Sequence, residues 1–463
     1  MLAVDLKNGE VITMTKDLTK GSPMKLIISF AVPLLFGFLF QQFYNLVDTM
    51  IVGRFLGVDD LAAVGSTGSI NFLVIGFCMG VCNGFAIPVS HKFGAGDYVG
   101  MRKYVANCAW LGLAFSVIMT VVTAILCRDI LVWMKTPANI IDGAHNYIFI
   151  IFIGIPTVFL YNIVAGVIRA TGDSKTPVVF LVLSSIINIV LDLYFIISLH
   201  MGVAGAAWAT VISQGVSGVA CLVYMVKKFE ILRIHREEWK VDGHMMMVLC
   251  GMGVPMGLQY SITAIGTMMV QSALNMLGSY AVAAFTAGSK IEQIFTQAYV
   301  AQGTASATYN AQNIGAGKLE RVREGFRASH FIGIVYSVVV GSFLFFAGKY
   351  FAYLFISDNI KEVLPMVAIY VKCVALFFIP LYFVNVLRNG IQGMGYGLLP
   401  MMAGVAELAG RGITATIAAG KSSYIGTCLA SPVAWIFASV LLWVMYFYVM
   451  KDMARKLYGT NKL

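Results

Sequence analysis

Charge is what this sequence has least of. Asp, Glu, Lys and Arg make up 12% of its 463 residues, against 59% hydrophobic residues, and mean hydropathy is +0.82. A soluble protein of this length would carry roughly twice that charge to cover its surface. Composition therefore places the chain in the membrane class before any motif is read. A G-x-x-x-x-G-K-[ST] run is missing too, and no polar stretch is long enough to hide a nucleotide-binding domain. Transport driven by ATP within this chain is thereby excluded, and an ion gradient is the expected energy source. Paired His or Asp residues at catalytic spacing are lacking, so an intramembrane enzyme is not expected and no cofactor is implied. Metal-ligand clusters are lacking as well. His91, His200, His235, His244 and His330 fall at span ends or in loops, and Cys78 and Cys82, one helical turn apart, have no further ligand at metal spacing. The eight cysteines read as small apolar filler. The polar segment 1–23 lacks the short apolar core and small-residue cleavage site of a signal peptide, so the first apolar run is expected to persist as a helix.

What is present is a series of apolar runs. A helix needs about 20 such residues to cross roughly 30 Å of hydrocarbon. Twelve candidates emerge: 25–53, 61–90, 104–126, 144–168, 177–198 and 202–227, then 246–275, 282–310, 328–347, 364–391, 397–419 and 428–450. Runs this long are helical, because barrel strands would alternate over about ten residues. Lys and Arg orient them. With the N-terminus inside, inner segments hold 22 basic residues and outer loops only Arg54, Arg128, Lys135, Lys349, Lys361 and Lys421. Both termini should face the cytoplasm. The net charge of +10 then reflects topology and not nucleic acid.

The charged linker KKFEILRIHREEWKVDG (227–243) divides the chain nearly in half, and the halves repeat. Pro33 matches Pro255, Leu56-Gly57 matches Leu277-Gly278, Gly94-Ala95-Gly96 matches Gly315-Ala316-Gly317, and Gly172 and Pro177 match Gly395 and Pro400. Repeats with an even number of spans insert in the same orientation, as parallel repeats about an axis along the membrane normal. The expected layout is a cytoplasmic segment 1–23, a six-helix lobe 24–227, a cytoplasmic linker 228–244, a second six-helix lobe 245–451 and a cytoplasmic tail 452–463. Two lobes leave a cleft, the geometry of alternating access. A channel would instead need rings of like residues.

Ionisable groups inside spans cost a few kcal/mol each on insertion scales, so each needs a reason. Asp48 and Asp192 lie at matching depth, roughly 8–9 Å in from the outer boundary at 1.5 Å per residue. Asn188 is one turn before Asp192, Asn45 and Gln41 share the Asp48 face at i−3 and i−7, and Thr210 lies about 12 Å deep in span six. Two carboxylates, amides and a hydroxyl at one level suit a hard cation or a shuttled proton. Glu407 and Arg411, one turn apart, read equally as a self-neutralising pair or a substrate contact. Gln259, Lys290, Gln293, Asn385 and Arg388 are further candidates to line the C-terminal half, with snorkelling toward the headgroups an alternative for Arg388 and for Lys372. Pro33, Pro156 and Pro255 stand inside spans, where each favours a bend.

Several segments resemble the multidrug and toxic compound extrusion (MATE) family: QQFYNLVDTMIVGRFLG (41–57), FGAGD (93–97), IRATGDSKTPV (168–178), NIVLDLYFI (188–196), AQNIGAGK (311–318), GMGYGLLPM (393–401) and SPVAWI (431–436). The resemblance covers the chain in order, in both halves. It implies an all-α membrane protein of twelve helices in two six-helix lobes related by a pseudo-two-fold. It also implies H+- or Na+-coupled antiport of amphipathic, often cationic, compounds by a functional monomer of the cytoplasmic membrane. The family's N-lobe cation site corresponds to Asp48, Asn188, Asp192 and Thr210, where Na+ is the one metal ion implied. Acidic residues that some branches use in the seventh and tenth helices are replaced here by Gln259 and Asn385, which points to the bacterial DinF-like branch. The alternative within the same superfamily is a flippase for lipid-linked oligosaccharide or another lipid-like substrate.

Overall fold

The computed structural model describes residues 3–4, 11–12, 15–354 and 360–459. Its order of elements is helical throughout, apart from a two-residue antiparallel pairing of Ala3–Val4 with Val11–Ile12. The helices are α1 (Pro23–Phe55), α2 (Val58–Ser66), α3 (Gly68–Gly94), α4 (Tyr98–Trp133), α5 (Ile141–Ile153), α6 (Ile155–Ala170), α7 (Lys175–Leu193) and α8 (Val203–Lys228). They continue as α9 (Gly243–Asn275), α10 (Ser279–Gly315), α11 (Leu319–Ala347), α12 (Ile360–Ala375), α13 (Phe378–Gly393), α14 (Leu398–Gly420), α15 (Tyr424–Cys428) and α16 (Ala430–Tyr458).

Among the described residues eight helices are long and apolar enough to cross a membrane, and two bent pairs raise the number to ten. The other two expected spans coincide with α10 and α14, 37 and 23 residues long, whose polar and charged side chains dilute the hydropathy. Spans four and ten are not single rods. α5 and α6 meet at 44°, and α12 and α13 meet at 51°. The first break sits at Gly154, just before Pro156. The second sits before Ile379-Pro380, the counterpart of Ile155-Pro156. Proline lacks an N–H and disfavours a helical preceding residue, so both breaks have one cause. By contrast, α1 and α9 run unbroken through Pro33 and Pro255.

The chain forms two compact units. One comprises Val32–Gly257 with the described residues before Gly21; the other comprises Gly21–Ala31 and Leu258 onward. In the first, α3 packs on α4 and α6, and α8 on α5, α6 and α7. Helices α3 and α9 also approach closely, backbone to backbone. A Cβ on Gly84 would lie 2.5 Å from Gly253 Cα, and one on Gly80 would lie 2.5 Å from the Met256 carbonyl oxygen. In the second unit α10 packs on α11, α12 and α13, and α16 on α13 and α14. All eight cysteines are free thiols.

The repeat has a backbone meaning. Gly57 and Gly278 have φ of 97° and 93°, Gly96 and Gly317 have 72° and 70°, and Gly172 and Gly395 have 88° and 94°. Each of these six glycines holds a positive φ that a side chain resists.

The charged segment 227–243 lies within the first unit and is not a loose connector. It forms short 3₁₀ turns at Glu230–Leu232 and Arg236–Trp239 and lies on α4. Arg102 Nε and Nη2 donate to the Glu238 carboxylate at 2.8–2.9 Å. Trp110 Nε1 donates to the Trp239 carbonyl at 3.1 Å, and Asn107 Oδ1 accepts the Asp242 N–H at 3.0 Å.

Candidate functional site

In the first unit α1, α7 and α8 bring together the four residues selected by depth. Asp192 and Asn188, four apart on α7, are 0% and 1% exposed. The Asn188 amide, oriented by its hydrogen-bonding surroundings, donates to Asp192 Oδ2 at 2.9 Å and meets Thr210 Oγ1 at 3.3 Å. Thr210 Oγ1 also reaches back to the Ala206 carbonyl at 3.1 Å. The carboxyl groups of Asp48 and Asp192 are hydrogen-bond neighbours. Each keeps a buried Oδ1 without a hydrogen-bond partner.

Like charges this close in a low dielectric cannot both stand ionised without help. The pair needs a shared proton or a bound cation. The orphaned Oδ1 atoms, the Asn188 amide and the Thr210 hydroxyl are oxygen-rich donors for a hard monovalent ion. The residues present therefore fit either H+ or Na+. No group of three or more His, Cys, Asp or Glu suited to a metal ion occurs among the described residues.

Two residues belong to this site that the sequence did not flag. The Tyr44 hydroxyl lies beside Thr210 and in the field of both aspartates. It stands one turn before Asp48, so the i−4 spacing would have found it. Tyr147 on α5 is 8% exposed and also faces both carboxyls. Nothing in the sequence links it to them. Two residues past Asp192, the helix opens into a π turn over Tyr194–Ser198. Such widened turns recur beside functional residues. Gln41 is half-buried and Asn45 exposed on the same helix.

In the second unit the expected local pair Glu407–Arg411 is a three-residue cluster. Arg388 Nη2 on α13 donates to Glu407 Oε2 at 2.8 Å, and Arg411 Nη2 donates to Oε1 at 2.6 Å. Arg388, Glu407 and Arg411 are all under 9% exposed. Arg388 is thus ion-paired in the interior and does not snorkel. Gly266 on α9 makes room for it all, since a Cβ there would meet Arg411 Nη1 at 3.3 Å. Close by, the Tyr370 hydroxyl donates to Glu292, which acts electrostatically on Arg411. Gln259 Oε1 accepts from Gln392 Nε2 at 2.8 Å. The remaining candidates do not converge here. Asn385 bonds its own helix at the Leu381 carbonyl, and Lys290 and Gln293 are exposed. His330 lies inside α11 and not at its end, with Nδ1 3.0 Å from the Tyr382 hydroxyl.

Comparison with known proteins bears on both units. The MatE family model matches residues 33–194 and again 255–417. The probable multidrug resistance protein YpnP of Bacillus subtilis is 32% identical over 390 residues, covering 83% of this chain and 86% of that protein. A Shewanella oneidensis FAD transporter is 22% identical over 453 residues, covering 94% of this chain and 96% of that one. Among solved structures, the outward-facing conformation of a multidrug resistance MATE family transporter of the MOP superfamily superposes with a TM-score of 0.89 at 22% identity. It covers 97% of this chain and all of that one. A family match repeated in both halves, on an all-helical membrane fold, establishes that this chain belongs to the MATE family and is a membrane transporter, not an enzyme.

Proposed function

We propose that this protein is a cation-coupled antiporter that exports small amphipathic compounds, cationic ones among them, from the cytoplasm by alternating access. One observation carries the coupling: Asp48 and Asp192 adjoin each other with buried acceptor oxygens left over, flanked by Asn188, Thr210 and Tyr44. Binding of H+ or Na+ neutralises the pair and release restores repulsion, so occupancy biases the helices that carry the two acids. The π turn after Asp192 gives α7 a place to change shape. The relative named as a multidrug resistance protein supports the substrate class. The protein works as a monomer in the cytoplasmic membrane, both termini inside, with six helices to each lobe.

A second reading is movement of an anionic, lipid-like solute. The paired guanidinium groups of Arg388 and Arg411 favour it, as does a relative named as a transporter of FAD. The deciding experiment is transport of a fluorescent organic cation in proteoliposomes, with pH and Na+ gradients imposed separately. Uptake against the gradient of one ion supports antiport. Indifference to both refutes it.

A further inference from the structure

The Arg388–Glu407–Arg411 cluster has more donor capacity than its own carboxylate can use. Two guanidinium groups share the single Glu407, each through an Nη2. The Nε atoms of both arginines are buried and have no hydrogen-bond partner. A guanidinium whose Nε–H is unmet beside an Nη2 on a displaceable carboxylate can present that Nε–Nη2 edge as a fork to a planar carboxylate or a phosphate. Leaving such donors unmet in a low dielectric is costly, and an incoming anion repays that cost. Nearby negative charge is already committed: Glu292 accepts the Tyr370 hydroxyl while acting on Arg411 electrostatically. Arg411 Nη1 reaches only the Thr263 carbonyl, at 3.5 Å. Opposite the guanidinium, α9 offers Gly266 in place of a side chain.

We infer that this cluster is a recognition site for a carboxylate or phosphate group on an amphipathic molecule, with Glu407 as the resident counter-ion that the incoming anion displaces. The inference goes beyond the export reading by adding an anionic group to the solutes accepted. Arg388 and Arg411 grip the anion, and between occupants Glu407 offsets one of their two positive charges.

The test reads equilibrium binding to the purified full-length protein in detergent, so it stands apart from ion coupling. The probes are a rhodamine bearing a free carboxylate and its ethyl ester, followed by fluorescence anisotropy. The acid should bind about tenfold tighter than the ester. Arg388→Gln and Arg411→Gln should erase that preference, and Glu407→Gln, which removes the competitor, should enlarge it. Thermal melting of each variant guards against misfolding, and Arg411→Lys, which keeps the charge, should retain part of the preference. Equal binding of acid and ester by the unmodified protein overturns the proposal, as does an undiminished preference in a folded Arg411→Gln variant. Competition by phosphatidylglycerol but not phosphatidylcholine would assign the anion to a lipid headgroup. Resistance to both would assign it to the solute, and either source upholds the site.

Discussion

Arg102 on α4 and Glu238 in the connecting segment are 136 residues apart in sequence and form a forked ion pair at 2.8–2.9 Å. Glu238 also accepts the His235 N–H at 2.8 Å, so one carboxylate both closes its own turn and docks it on α4. Removing either partner should destabilise the first unit by about 1–3 kcal/mol, between the values of exposed and buried pairs. Arg102→Gln and Glu238→Gln should melt earlier and expose the connector to protease. The hydrogen bond from Arg102 holds the Glu238 carboxyl below its ordinary value of 4.5. Its stabilisation is therefore complete above the unfolded carboxyl's pKa and fades as pH falls through the lower folded value. The gap in melting temperature between Glu238→Gln and the parent protein should be full at pH 7 and close on strong acidification.

At the paired acids, Asp48→Asn and Asp192→Asn should each abolish ion-driven efflux while leaving a protein that melts near the parent temperature in detergent. Tyr44→Phe, which removes only the hydroxyl beside Thr210 and the two acids, should weaken coupling without abolishing it. Full transport by either asparagine variant in proteoliposomes would refute the site.

Where α3 meets α9 the glycines are steric necessities. Gly84→Val or Gly253→Val should cost about 1–3 kcal/mol or more, because the added atoms collide with the Gly253 backbone in the first case and with the buried Phe85 ring in the second. Size-exclusion profiles and thermal melting in detergent measure this. Gly251→Ala, with nothing within 4 Å of an added Cβ, is the control.

Gly172 combines positive φ with a Cβ position 1.9 Å from the Lys16 carbonyl oxygen. Gly172→Ala should lower stability by about 1–3 kcal/mol. Gly96→Ala, with positive φ but open space around it, should cost less, about 1 kcal/mol. The difference between the two melting shifts isolates the steric part.

Tags at either terminus should resist external protease in intact cells, and a tag inserted near Lys421 should be cleaved. Cleavage of the terminal tags from outside would reverse the topology drawn from the basic residues.

The span positions, the internal repeat and the acid pair were legible because each rests on local chemistry. Apolar run length reports spans, glycine reports left-handed turns, and depth along a helix is a matter of counting. The paired glycines at 57 and 278 could be matched by sequence alone since no other residue suits that backbone. Less legible were the broken spans. Pro156 was noted as a bend, whereas its partner Pro380 went unremarked within a continuous apolar run.

Tertiary structure decided what distant residues do together. In sequence Arg388 was a long cation near a span end, equally suited to snorkelling. Only the packing of α13 beside α14 turns it onto Glu407 and converts a local pair into a cluster with surplus donors. Tyr147 joins the acid pair only through the placement of α5. The charged linker had no partner assigned to it in the sequence, and only the fold brings Arg102 onto Glu238. Composition and periodicity determined that this chain crosses the membrane in two repeated halves. The partners of its buried charges were decided in three dimensions, because a charge in low dielectric is governed by its nearest counter-charge, and that neighbour is set by helix packing and not by spacing along the chain.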